Sequence, residues 1–71
     1  MQGYRCYFFD LHYRLFALRD FHSNNDTDAL VTARELSLEP KPHSFELWEG
    51  PRYLHREDCV TAANDSLGSA T

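Results

Sequence analysis

The amino-acid sequence predicts an α+β domain of order ββαββ, a four-stranded antiparallel sheet with strand order 2-1-3-4 and one helix on one face. Three observations predict it. The run Tyr4-Arg5-Cys6-Tyr7-Phe8-Phe9-Asp10 is aromatic on both alternating faces, as a central strand would be. Residues Ala29, Leu30, Ala33 and Leu36 recur at helical spacing. Short alternating runs bounded by turn residues lie on either side of that stripe.

In the first strand, Tyr4, Cys6 and Phe8 point to one face and Tyr7 and Phe9 to the other. Asp10-Leu11-His12-Tyr13-Arg14 is the first turn, although no Gly or Asn there offers a left-handed conformation. Leu15–Phe21 reads as the second strand, forming a hairpin with the first. The polar cluster His22–Asp26 then leads into the helix, with Asn25 or Asp26 as N-cap and Asp28 in the first turn. Pro40 and Pro42 forbid continuation, so the helix stops near Ser37 or Leu38.

Ser44–Trp48 alternates and reads as the third strand, Glu49-Gly50-Pro51 as a turn, and Arg52–His55 as a short fourth strand. A right-handed crossover through the helix places the third strand beside the first. The helix-facing side is then expected to hold Cys6, Phe8, Phe16, Leu18, Phe45, Leu47 and Leu54. The other side would carry Arg5, Tyr7, Phe9, Leu15, Ala17, Glu46, Trp48 and Tyr53. Residues 1–57 form the single expected domain, and 58–71, poor in large apolar side chains, read as a disordered tail.

The motifs Tyr4-Arg5-x-Tyr7-x-x-Asp10, Asp20-Phe21, Ala29-x-x-x-Ala33-Arg34 and Glu46-Leu47-Trp48-x-Gly50-x-Arg52 follow one another in this order. Together they resemble small uncharacterised alphaproteobacterial proteins that open with Y-R-x-Y and close with E-L-W-x-G. The resemblance covers about residues 4–55 and departs at Leu11-His12-Tyr13, where such proteins often carry a glycine. It implies a bacterial protein but no activity, and it assigns no functional residue.

Seven basic residues against eleven acidic give a formal charge of −4. That balance argues against nucleic acid as a partner, since phosphate binding relies on Lys and Arg. Cys6 and Cys59 form no disulfide framework and read as two free thiols in a reducing cytoplasm. The first residues lack a basic run followed by an apolar stretch, so no signal peptide is expected, and no apolar run approaches the ~20 residues that span a bilayer. A cytoplasmic protein is the expectation.

His12, His22, His43 and His55 show no metal-ligand spacing with one another or with the cysteines. His55-Arg56-Glu57-Asp58-Cys59 places a thiol among carboxylates, which is the wrong setting for a nucleophile. No phosphate-binding glycine loop, triad order or paired-carboxylate cleft is visible, so no cofactor, metal or catalytic role is assigned. The remaining feature is the open aromatic face of Arg5, Tyr7, Phe9, Trp48 and Tyr53. These residue types are enriched at protein interfaces. The expected function is a non-catalytic interaction module that self-associates as a homodimer. Stacking of single-stranded nucleic acid on the same rings is the alternative.

Overall fold

The computed structural model describes residues 1–59. Strands β1 (Gln2–Phe9), β2 (Leu15–Ser23), β3 (Ser44–Glu49) and β4 (Arg52–Asp58) and helix α1 (Asp26–Leu36) follow the order ββαββ. The strands form one antiparallel sheet in the order β2-β1-β3-β4. The chain opens on an inner strand, β1, which is paired on both edges and so has side chains of β2 and β3 on either side of its own.

Helix α1 begins where the sequence places an N-cap. Asn25 is extended (φ −158°), and its side chain accepts the Asp28 N–H at 2.8 Å, satisfying one of the donors that a helix start leaves free. Ser37 closes the other end, its N–H donating to the Ala33 carbonyl at 3.0 Å and its hydroxyl to the Arg34 carbonyl at 2.8 Å. The helix presents Ala29 and Ala33 to the sheet, both fully buried. Those two positions pack into one buried core with Tyr4, Cys6, Phe8, Phe45 and Leu47 of the sheet. Leu30, Leu36, Ala17, Phe21, Leu54 and Cys59 pack around its margin.

Three expectations are corrected. The first concerns the side chains of β2. Pairing of β1 with β2 runs regularly from Gln2↔Ser23 to Phe8↔Ala17 and then slips, so that Phe9 faces Leu15 and Phe16 is the extra residue of a bulge. Ala17 is therefore opposite Phe8 on the helix side, and Leu18 is opposite Tyr7 on the open side. The assignments of Ala17 and Leu18 are exchanged, and Phe16, 47% exposed, is not part of the core. A one-residue slip transfers side chains to the other face, and strand alternation alone does not reveal where it occurs.

The second concerns the first turn, which lies at Asp10–Arg14 as expected but reaches a left-handed conformation without Gly or Asn. Tyr13 takes the left-handed conformation (φ 61°) that the sequence offered no Gly or Asn to fill. Asp10 compensates: its Oδ1 accepts the N–H groups of His12 at 2.8 Å and Arg14 at 3.0 Å, while its own N–H donates to the Arg14 carbonyl at 2.9 Å. The third concerns β4, which runs through Asp58 where it was expected to end at His55. Beyond it, the Cys59 N–H donates to the His43 carbonyl at 2.8 Å. The expected tail thus loses its first two residues to ordered structure, and the rest of it, 60–71, lies outside the described residues.

Candidate interaction face

Strand register places Arg5, Tyr7 and Phe9 on the side of the sheet away from α1, with Trp48 opposite Arg5 and Tyr53 opposite Trp48. All five residues picked from the sequence therefore share one face. Glu46 lies between them, opposite Tyr7 on β1 and Arg56 on β4. Leu15, Leu18 and Asp20 extend the face across β2.

Trp48 is the centre of this face. Its ring meets Tyr7 edge-on (centroids 6.4 Å apart, planes at 88°) and Tyr53 at 5.4 Å and 61°. Tilted and edge-on contacts are the favoured arrangements for aromatic quadrupoles. The indole N–H donates to Glu46 Oε1 at 3.1 Å, which fixes the ring to its own strand. Trp48, Tyr7 and Phe9 are half-buried, whereas Tyr53, Leu15 and Leu18 remain 51%, 50% and 39% exposed.

The charged groups of the face are mostly engaged. Arg5 makes a two-pronged bond to Asp20, Nε to Oδ1 at 2.6 Å and Nη2 to Oδ2 at 3.0 Å. That hydrogen bond holds the Asp20 carboxyl below its usual range and raises the Arg5 guanidinium further. Arg56 lies over the Tyr13 ring, 5.0 Å from its centroid, and Tyr13 in turn meets His43 edge-on at 5.7 Å. Ser44, opposite Phe9, is fully buried, and its hydroxyl finds no hydrogen-bond partner among the described residues.

Sequence reasoning missed Leu18, Asp20 and Arg56 as members of this face. One signal could have found the first two. Arg5 and Asp20 are the opposite charges of a cross-strand pair, and aligning them sets the β2 register that brings Leu18 beside Tyr7. Arg56 gave no such signal, because the charged run after His55 did not read as a continuation of the fourth strand.

The two cysteines are free. Burial pushes the Cys6 thiol up to about 12, and burial likewise raises Cys59, which reduces nucleophilicity at neutral pH. Among the described residues no group of three or more His, Cys, Asp or Glu is placed to hold a metal ion. No described helix is long and apolar enough to cross a membrane. No family model matches the chain, and neither the curated proteins nor the solved structures contain a match to it.

Proposed function

We propose that the chain is a non-catalytic interaction module of the cytoplasm that pairs with a second copy of itself through the open face of the sheet. The observation that carries this reading is the gathering of Tyr7, Phe9, Leu15, Leu18, Trp48 and Tyr53 on one side, where no described element covers them. A contiguous apolar patch rimmed by charge is the usual mark of a contact surface. A domain of this size also buries only about 60% of the surface its unfolded chain exposes, so a second copy adds burial that the monomer lacks. Nucleic acid fits the face less well. Arg5 is bound to Asp20 and Arg56 lies on Tyr13, which leaves the rings without the free cations that phosphates need.

Sedimentation equilibrium over a range of concentrations tests the proposal. The wild type is expected to dimerise, and Trp48→Ala to weaken the dimer roughly thirtyfold, the equivalent of about 2 kcal/mol for a central aromatic anchor. Equal masses for the two proteins at every concentration would remove Trp48 from any dimer contact. Pairing through the exposed edge of β2 would give that result if both were dimers.

A further inference from the structure

Between β1, the start of β2 and the end of β3 the open face carries a shallow, solvent-open depression of about 380 Å³ lined by Tyr7, Phe9, Leu15, Glu46, Trp48 and Gly50. One carboxylate stands among aromatic and aliphatic walls, and no lining residue is basic. Glu46 is also unusual in its pairing. Of the half-buried carboxylates among the described residues, Asp10 has Arg14, Glu49 has Arg52 and Glu57 has Arg34. Among these four, Glu46 alone makes no salt bridge; its hydrogen-bond partner is the neutral indole N–H of Trp48. Arg56, directly across the ladder, is near enough to feel the Glu46 charge but bonds elsewhere, lying over Tyr13 and 3.8 Å from Asp58.

A carboxylate half withdrawn from water is costly unless a positive group meets it. Two electron-rich rings set at 88° offer that group two walls of a box. We infer that this depression binds a small organic cation with an alkylated ammonium head, held between the rings of Tyr7 and Trp48 and neutralised by Glu46. The indole bond fixes the carboxylate toward the rings, so the site is arranged before the ligand arrives. Weakly hydrated quaternary ammonium suits such walls better than a metal ion or a primary amine, because it gives up little solvation on entry. This inference goes beyond the self-association reading and does not require it, since a monomer carries the whole site. The same rings form the proposed dimer contact, so a second copy and the cation compete for them.

Trp48 is the chain's one tryptophan, so its emission reports the site directly. The intact protein, diluted until monomeric, is titrated at constant ionic strength with choline, with tetramethylammonium chloride, and with 3,3-dimethyl-1-butanol, the uncharged counterpart of choline. The expected result is a saturable change with both cations and binding of the alcohol weaker by about tenfold or more. Glu46→Gln keeps an acceptor for the indole N–H while removing the charge, and should weaken choline by a similar factor. Tyr7→Leu keeps an apolar side chain but removes a wall, and should weaken both cations. A trimethyllysine peptide separates the sources: tighter binding than choline would assign the cation to a protein side chain, weaker binding to a free small molecule. Equal affinities for choline and the alcohol, an unchanged Glu46→Gln, or no saturation by about 100 mM would each overturn the inference. Sedimentation of wild type and Trp48→Ala is read without ligand, so failure of the cation site and failure of the dimer are distinguishable.

Discussion

The two faces of this sheet are built from the same strands and nearly the same residue types, yet only one of them is a core. On the helix side, Tyr4, Cys6, Phe8, Phe45 and Leu47 are at most 3% exposed. On the other side Tyr53 and Leu15 remain half in water, and the rings of Tyr7, Trp48 and Tyr53 pack on one another. The difference lies in what covers the sheet, because both faces are hydrophobic. Ala29 and Ala33 bring a helix down on one side, and no described element does the same on the other. Hydrophobic pattern therefore identifies a strand as central, while coverage decides which of its faces becomes the interior.

The sharpest way to break this comparison is to truncate neighbouring phenylalanines. Phe8→Ala removes a fully buried ring at the middle of the core and should cost about 3–5 kcal/mol, enough to unfold most of the protein at room temperature. Phe9→Ala, one residue along and on the open face, should cost no more than about 1.5 kcal/mol. Urea titrations followed by circular dichroism measure both. Similar losses would mean that the open face is covered in solution, and a cooperatively folded Phe8→Ala protein that the helix side is not the core.

A smaller effect probes the helix contact itself. Ala33→Leu inserts three heavy atoms where the helix lies against the sheet, and overpacking of this kind costs about 1–3 kcal/mol. Val31→Leu, on the 49% exposed side of the same helix, should be neutral within about 0.5 kcal/mol. If thermal melts showed the two variants alike, the packing attributed to Ala29 and Ala33 would not be what seals that face.

How much of this was legible in the sequence depended on whether a signal was local. The helix was legible because Asn25, the Ala29-to-Leu36 stripe and the two prolines act within a few residues of one another. The faces of β1 and β3 followed from alternation, since their pairing is regular from Arg5↔Trp48 to Phe9↔Ser44. The five residues picked as a candidate interaction face lie on β1, β3 and the start of β4, and the register puts them on one side of the sheet. The side chains of β2 were not legible, because the bulge at Phe16 is settled by the turn before it, and that turn depends on Tyr13 accepting a left-handed backbone. The length of β4 was hidden for a different reason. Arg56-Glu57-Asp58 looks like a solvated tail, but an edge strand tolerates charge, and Glu57 is tied back to Arg34 of the helix at 2.9 Å.

Ser44 blurs the contrast between the faces, since by register it belongs to the open side and yet is fully buried. Its hydroxyl has lost water without gaining a partner among the described residues. An unsatisfied buried donor is a liability, so Ser44→Ala should stabilise the protein by up to about 1 kcal/mol, read as a higher urea midpoint at unchanged slope. A destabilised Ser44→Ala variant would indicate that the hydroxyl is satisfied in solution, by water or by a residue beyond 59.

The faintest contrast is electrostatic, and acid unfolding reads it. On the open face the hydrogen bond from Arg5 holds Asp20 below the usual carboxylate range. On the helix side Arg34 does the same for Glu57, with a further hydrogen bond from His55. A carboxyl whose folded pKa is depressed contributes stability that is complete above its unfolded value, about 3.9 for Asp and 4.3 for Glu. That contribution is lost as the pH falls through the folded value, because protonation then favours the unfolded chain. Stability should therefore fall as the pH drops below about 4, and both Asp20→Asn and Glu57→Gln should flatten that fall. The two should differ in salt. The Arg5–Asp20 pair is open to solvent on both sides (47% and 60% exposed), whereas Glu57 is 30% exposed and joins the helix to the sheet. At about 1 M NaCl, where screening acts within roughly 3 Å, Asp20→Asn should lose its effect and Glu57→Gln should keep part of its own. Equal loss for both would mean that the charges on the two faces are equally solvated, and that the sheet's asymmetry is confined to its apolar side chains.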